Sequence, residues 1–215
     1  MTDKILLLRE YPNLLDQIEF DYVFVEERIS DYPLKFSQVR NKKVEWGMRF
    51  PIFLESFYDY VLKNQDIPKQ LEFFKYYLSS NTVFFSENRL GEGIMEGLKA
   101  RIYRTYPSLV RDIHFALFLK SKIKRGQVIY NQRLDVEEGI DLIIEHGGRY
   151  YAVNLYTDTK RAYAGRDRKN YRHTKYSNVN YLELPVEFRG SKSIGNFFLY
   201  AEREMKKLNQ LFKSN

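Results

Sequence analysis

The sequence predicts an α/β fold in which a mainly helical N-terminal part precedes a central sheet flanked by helices. Three observations lead to this prediction. Apolar residues recur at helical spacing from 93 to 122, two adjacent glycines at 147 and 148 separate β-rich runs, and a second apolar stripe of helical period closes the chain. Strands bracketed by long amphipathic helices indicate layers of helix packed on sheet.

The N-terminal part is predicted to contain a strand over 19–26 and helices over 50–62 and 71–78, the two helices being joined by turn-prone residues at 64–68. Polar residues between 79 and 88 separate this part from the rest of the chain. We therefore expect a mainly helical region over residues 1–88 and a second domain over 89–215.

The second domain is predicted to begin with a helix over 93–122, either kinked at Pro107 or divided there into two. Ser193 is the predicted N-cap of a final helix whose apolar stripe runs from Ile194 to Phe212. Between these helices the pattern predicts four strands, over 127–133, 139–145, 150–157 and 180–186.

The glycine pair Gly147-Gly148 predicts a tight β-hairpin, because glycine supplies the positive φ angles that such turns require. With these two residues at the turn, strand positions equidistant from it are paired. Asp141 then lies opposite Asn154, with both side chains on one face of the sheet.

Charge is unevenly distributed along the chain. Residues 1–100 hold 13 Lys and Arg against 16 Asp and Glu, whereas residues 101–215 hold 22 against 12. A basic C-terminal half is typical of a surface that binds phosphates. The chain has no cysteine, which excludes disulfides, thiolate-held zinc and a cysteine nucleophile. No signal peptide or membrane span is indicated, so we expect a cytoplasmic protein without a membrane partner.

The order helix, three strands, basic crossover, strand and helix over residues 90–213 resembles the PD-(D/E)XK restriction-endonuclease-like nuclease superfamily. The resemblance implies a mixed central sheet flanked by helices, and a site that binds Mg²⁺, or alternatively Mn²⁺, through carboxylates on the second and third strands. Asp141 occupies the position of the first carboxylate. The position of the (D/E)-x-K triplet holds Asn154-Leu155-Tyr156, so that Asn154 offers only a neutral oxygen and Tyr156 replaces the lysine.

Asp158-Thr159-Lys160, four residues further along, restores a D-x-K triplet. This predicts a displaced site in which Asp141, Asp158, Lys160 and Glu137 are catalytic, with Glu137 facing Asp158. The predicted metal ligands are Asp141, Asp158, Asn154 and Glu92, with Glu96 as the alternative to Glu92 on the preceding helix. The other interpretation is a nuclease fold without catalytic activity, in which Asp158 and Lys160 are ordinary polar residues at a strand end.

A basic stretch with interleaved tyrosines follows this triplet and is predicted to bind nucleic acid, since arginine can clamp phosphates and aromatic rings can stack on bases. Its predicted binding residues are Arg161, Arg166, Arg168, Lys169, Arg172, His173 and Lys175. Trp46, beside Gly47, is predicted to be a packing residue.

These observations predict a prokaryotic or phage protein that binds nucleic acid, with DNA preferred, and hydrolyses phosphodiester bonds with Mg²⁺. Cleavage of both strands of a duplex would favour a homodimer. Two alternatives remain open. One is an inactive nuclease-fold module that binds DNA, a small nucleotide or a protein. The other is an interaction factor whose basic surface contacts an acidic partner.

Overall fold

A computed structural model describes residues 13–157 and 179–214 of the chain. The helices are α1 (Tyr22–Ile29), α2 (Phe53–Asn64), α3 (Gln70–Ser80), α4 (Thr82–Asn88), α5 (Glu92–Lys122), α6 (Gln132–Glu138) and α7 (Glu202–Ser214). The strands are β1 (Val128–Ile129), β2 (Leu142–His146), β3 (Arg149–Thr157), β4 (Asn180–Val186), β5 (Lys192–Ile194) and β6 (Phe197–Leu199). This mixed α/β architecture with a mainly helical N-terminal part confirms the predicted fold class.

The main sheet has the strand order β1-β2-β3-β4. Its first three strands are antiparallel, and β4 runs parallel to β3. The predicted hairpin register is confirmed, because His146 pairs with Arg149 and Leu142 pairs with Val153. Gly147 and Gly148 have φ angles of 59° and 74°, which is the left-handed conformation that a two-residue hairpin turn requires.

The strand predicted over 19–26 is wrong, because these residues contribute to helix α1. The Asp21 carboxylate accepts hydrogen bonds from the backbone N–H groups of Val23 and Phe24, at 2.9 and 3.0 Å, and so caps the helix. Val25 and Ile29, four residues apart, form its buried face. The alternation of aromatic residues that suggested a strand was overridden by this cap and by packing.

The strand predicted over 127–133 is much shorter than expected. It ends at Ile129, because the Asn131 side chain accepts from the N–H groups of Arg133 and Leu134 and thereby starts helix α6. Gly139, with a φ angle of 66°, ends that helix in the left-handed conformation. The next strand therefore begins at Leu142, three residues later than predicted.

Ser193 does not cap a helix. It lies in β5, which pairs with β6 around Gly195. The last helix begins at Glu202, and Glu204 accepts a hydrogen bond from the backbone N–H of Ala201 at 3.0 Å. The stripe beginning at Ile194 therefore combined a hairpin with a helix. The polar residues at 79–88 are likewise helical, forming the end of α3 and all of α4.

Helix α5 continues unbroken through Pro107. Proline has no N–H, so the carbonyl of Tyr103 has no donor within the helix. The buried side chain of Gln70 supplies one, since its Nε2 lies 3.0 Å from the Tyr103 oxygen. The same amide group accepts from the Lys35 N–H at 2.9 Å and donates to the Lys35 carbonyl at 3.0 Å.

Both faces of the sheet are apolar. Leu142, Ile144, Tyr151 and Val153 join the main core, which also contains residues of α1, α2, α3, α5 and α7. Ile143 and Ala152 point to the other face and pack with Leu134 of α6. The main core thus includes residues from both sides of the predicted boundary at residue 88, and the division into two domains stays a prediction.

A partly buried ionic cluster ties α1 to α5 and β5. His114 is fully buried, and its Nε2 lies 2.8 Å from Oε1 of Glu26. Lys192 donates to both Glu26 oxygens at 2.6 and 2.7 Å. Burial lowers the pKa of His114, and the hydrogen bond to Glu26 opposes that effect only in part. Burial alone would raise the pKa of Glu26, but hydrogen bonds from Lys192 and His114 outweigh it and lower this pKa.

Gln70→Leu should lower the free energy of unfolding by about 2–3 kcal/mol, because it leaves the buried Tyr103 carbonyl without a donor. Pro107→Ala restores an N–H that can bond to this carbonyl within the helix. Chemical denaturation of both single variants and the double variant measures the coupling. We expect Gln70→Leu to lower the free energy of unfolding by about 1 kcal/mol less in the Pro107→Ala background than in the wild type. An equal decrease in the two backgrounds would contradict this role for Gln70.

Acid should destabilise the protein through His114. The folded state holds this imidazole neutral, so its contribution to stability is present above the unfolded pKa of about 6.5 and is lost as the pH falls. The loss has a limit of about 1.4 kcal/mol per pH unit. In denaturation curves from pH 7 to pH 5, His114→Phe should lose less stability than the wild type, while Lys192 keeps Glu26 paired. An unchanged pH slope in the variant would refute this explanation.

Candidate active site at the end of the sheet

Asp141 lies at the end of the hairpin remote from the turn. Strand pairing ends at Leu142 and Val153, one residue inside Asp141. The Asp141 Oδ2 accepts a hydrogen bond from the backbone N–H of Leu155 at 2.5 Å. A charge-assisted bond of this kind fixes the carboxylate against the end of β3. Asp141 therefore lies beside Asn154 and Leu155, as the register predicted.

Asn154 has a carboxylate neighbour that the sequence pattern did not indicate. In the parallel pairing of β3 with β4, Asn154 is the partner of Glu183. Paired residues on adjacent strands direct their side chains to the same face, so Asp141, Asn154 and Glu183 form a polar row across three strands. Glu183 alternates with the buried Leu182 and Leu184, which is a signal for a surface or site residue on a strand. Its alignment with Asn154 is set by the long connection between the two strands and is not visible in the local pattern.

Oxygen ligands in this row suit a hard divalent cation. Oδ1 of Asn154 is buried and has no hydrogen-bond partner in the described part of the chain, an arrangement that is costly unless another group uses the oxygen. Together with the Asp141 carboxylate it offers the oxygen donors that Mg²⁺ prefers. Within residues 13–157 and 179–214, no three Asp, Glu, His or Cys side chains are grouped so that they could hold a metal ion. The residues present thus fit part of a magnesium site.

Helix α5 contributes a second carboxylate near the end of the sheet, Asp112. The charge of Asp112 acts on Tyr200, which is a buried phenol. The Tyr200 hydroxyl accepts a hydrogen bond from Nη1 of Arg111 at 3.2 Å. Burial raises the pKa of Tyr200 to about 12; Arg111 opposes this shift, and the negative charges of Asp112 and Asp141 add to it. Asp112 and Asp141 therefore act on the same buried group from two different elements.

Two stacked tyrosines lie against the same region. The rings of Tyr58 and Tyr130 are 4.5 Å apart, and both phenols are buried. Burial raises the pKa of both phenols well above its usual value, and the charges of Asp112 and Asp135 raise it further. The helical face of Asp112 thus borders a buried polar region formed by the two phenols.

Glu92 is not brought to this site. It lies in the first turn of α5, and the helical rise puts it about 30 Å along the axis from Asp112. Asp112 lies further along the same helix, and its charge acts on the same buried tyrosine as that of Asp141. No sequence signal distinguished Asp112 from the other acidic residues of the helix.

Glu137 is also placed differently from the prediction. It lies on the exposed side of α6, where Arg133 Nε is 3.0 Å from its Oε1, and not on a strand opposite Asp158. The predicted strand pairing of Glu137 is therefore wrong. Several predicted site residues lie outside the described residues and stay predictions: Asp158, Lys160, Arg161, Arg166, Arg168, Lys169, Arg172, His173 and Lys175.

No described helix combines the length and the apolar character needed to cross a bilayer. Even α5, which is long enough, carries charged residues along its length.

Comparison with known proteins identifies the family. The model of the TaqI restriction endonuclease family matches residues 29–194, more than three quarters of the chain. The matched range includes Asp112, Asp141, Asn154 and Glu183. No curated protein and no solved structure matches the chain significantly.

The family match supports a nuclease and DNA-binding role, and restriction endonuclease families generally use divalent metal ions. It also agrees with the resemblance to the PD-(D/E)XK superfamily and with the mixed four-stranded sheet. The chain belongs to the TaqI restriction endonuclease family.

Proposed function

We propose that this protein is a metal-dependent endonuclease that hydrolyses phosphodiester bonds in DNA, with its active site at the Asp141 end of the sheet. One observation carries the proposal. Inside the segment matched by the endonuclease family, the Asp141 carboxylate is fixed by the Leu155 N–H next to the buried Oδ1 of Asn154, which accepts no hydrogen bond from the described residues.

The residues have distinct roles in this proposal. Asp141 and Asn154 would hold Mg²⁺ or Mn²⁺, and Leu155 would keep the Asp141 carboxylate oriented. A divalent ion, when bound, stabilises charge on the attacked phosphate and lowers the pKa of a coordinated water. Asp158 would add a ligand, Lys160 would orient the attacking water, and the basic residues from Arg161 to Lys175 would hold the DNA strand by its phosphates.

A second candidate function is a nuclease-fold module that binds DNA without cleaving it. The observation that favours it is the pair Asn154 and Tyr156. Both are neutral where the superfamily pattern places a carboxylate and a lysine, and the described residues do not complete a three-carboxylate cluster. The two candidates differ in one measurable property, which is metal-dependent cleavage.

Asp141→Asn should reduce DNA cleavage at least about 100-fold, because the neutral side chain keeps its shape and can still accept from Leu155 but loses the charge that holds the ion. The matched control is Glu145→Gln, which neutralises a carboxylate on the same strand about 13 Å closer to the turn. Cleavage of a mixed-sequence duplex is measured with Mg²⁺, with Mn²⁺ and with EDTA.

The wild type and Glu145→Gln should cut in either metal and not in EDTA. Thermal denaturation of each variant confirms that it is folded. If the wild type binds DNA but does not cleave single- or double-stranded DNA with either metal, the endonuclease proposal is contradicted and the binding module is supported. Equal cleavage by Asp141→Asn and the wild type would show that the active site is not at Asp141.

A further inference from the structure

Residues 35–49 form a basic surface within the otherwise acidic N-terminal half, and we refer to it as the 35–49 surface. Its single acidic residue, Glu45, is paired with Arg104 of α5. No carboxylate of the described chain pairs with any of its five exposed basic residues, which are Lys35, Arg40, Lys42, Lys43 and Arg49. The surface therefore presents uncompensated positive charge to solvent.

The backbone of this surface is held firmly although most of it is neither helix nor strand. Arg104 Nη1 donates to the carbonyls of Ser37 and Val39 at 3.2 and 2.7 Å, and Arg101 donates to the carbonyl of Val44. These two arginines of α5 order the loop, while its own cations remain directed outward. A surface ordered in advance loses little entropy when it binds a ligand.

Close packing reinforces this attachment. Asn41 donates to the Gly93 carbonyl at 3.0 Å. A Cβ atom on Gly97 of α5 would lie 2.5 Å from the Cβ of Asn41, so only glycine allows the loop to approach the helix this closely. Gln70 holds the other end of the surface by bonding to both backbone groups of Lys35.

Trp46 is exposed on this surface, contrary to its predicted role in packing. Its side chain is 76% exposed, and Phe36 is 66% exposed. Trp46 lies in a π-helical turn over Lys43–Gly47, next to Lys42 and Lys43. Large aromatic rings beside uncompensated cations are typical of surfaces that contact nucleic acid, where cations bind phosphates and rings pack against bases or sugars.

An open groove borders the 35–49 surface and extends along α5 as far as Leu109. It has a volume of about 650 Å³ and is lined by residues that include Arg49, Phe53, Arg101, Thr105 and Leu109. Arg101, Thr105 and Leu109 lie on successive turns of α5. Asp112 is eleven residues after Arg101, which is about three helical turns, so both lie on nearly the same side of the helix.

The separation of the two regions suits a duplex that contacts both. Asn41, next to Lys42 and Lys43, packs on Gly97, and the fifteen helical residues from Gly97 to Asp112 span about 22 Å along the axis. B-DNA rises about 3.4 Å per base pair, so this distance corresponds to roughly seven base pairs. A duplex bound near Asp112 and Asp141 and directed along α5 would reach the 35–49 surface within about one turn.

We propose that the 35–49 surface is a second DNA-contact surface, which binds the duplex backbone about seven base pairs from the cleavage site through Lys42, Lys43 and their basic neighbours. Trp46 packs against the sugar and base edges there. This contact is additional to the basic stretch that follows Lys160. The proposal rests on the proposed function for the identity of the ligand, and on the charge and anchoring of residues 35–49 for its location.

The double variant Lys42→Ala/Lys43→Ala tests this surface against Lys75→Ala/Lys206→Ala, which removes two exposed lysines elsewhere. Affinity for a duplex of about 20 base pairs is measured by anisotropy in EDTA over a range of salt concentrations. The first variant should bind at least about tenfold more weakly at low salt, and its log–log salt slope should be smaller by about two. The control pair should keep the wild-type slope.

Trp46 is the single tryptophan of the chain, so tryptophan emission reports on this surface alone. This emission should change when the duplex binds, because the ring then contacts DNA.

Failure of the two proposals can be told apart. No salt-dependent duplex binding by the wild type would overturn the proposed function together with this surface. Wild-type duplex binding with equal slopes in the two double variants and unchanged Trp46 emission would overturn the surface alone. Polyglutamate, a protein-like polyanion, should leave Trp46 emission unchanged. If polyglutamate changes the emission as much as duplex DNA does, the partner of this surface is an acidic protein and not DNA.

Discussion

The burial of helix α5 is the constraint on which the rest of the structure depends. This helix packs against the N-terminal helices, the sheet and the last hairpin, and Gln70 donates a hydrogen bond to the Tyr103 carbonyl that Pro107 leaves without a donor. A break at Pro107 would separate the end that holds the 35–49 surface from the end that carries Asp112. The helix therefore sets the distance between the candidate active site and the proposed second DNA contact.

Local sequence patterns predicted the elements whose structure is decided locally. The Gly147-Gly148 turn, the register of Asp141 against Asn154, and the strand over Asn180–Val186 are all present. Predictions failed where a single residue starts a helix or turns the chain. Asp21 and Asn131 start helices in segments that look β-rich, and Gly195 makes a hairpin inside an apparent helical stripe. The exposed position of Trp46 could not be predicted either, because it results from two arginines more than fifty residues away.

The candidate active site illustrates the same limit. The two glycines of the hairpin turn were sufficient to locate Asp141 and to identify Asn154 as its neighbour. Glu183 and Asp112 depend on how β4 and α5 meet the end of the sheet, and such long-range alignments leave no local signal. Family membership supports a nuclease, yet Asn154 and Tyr156 depart from the superfamily pattern. Asp141 is consequently the residue on which the proposed chemistry depends most.

The position of the metal tests this account most directly. Crystals grown with a DNA duplex and Mn²⁺ allow the ion to be located by its anomalous scattering. We predict a peak within coordination distance of a carboxylate oxygen of Asp141, with Oδ1 of Asn154 as a further ligand. A well-ordered duplex with no manganese peak in contact with Asp141 would contradict the assignment of the active site.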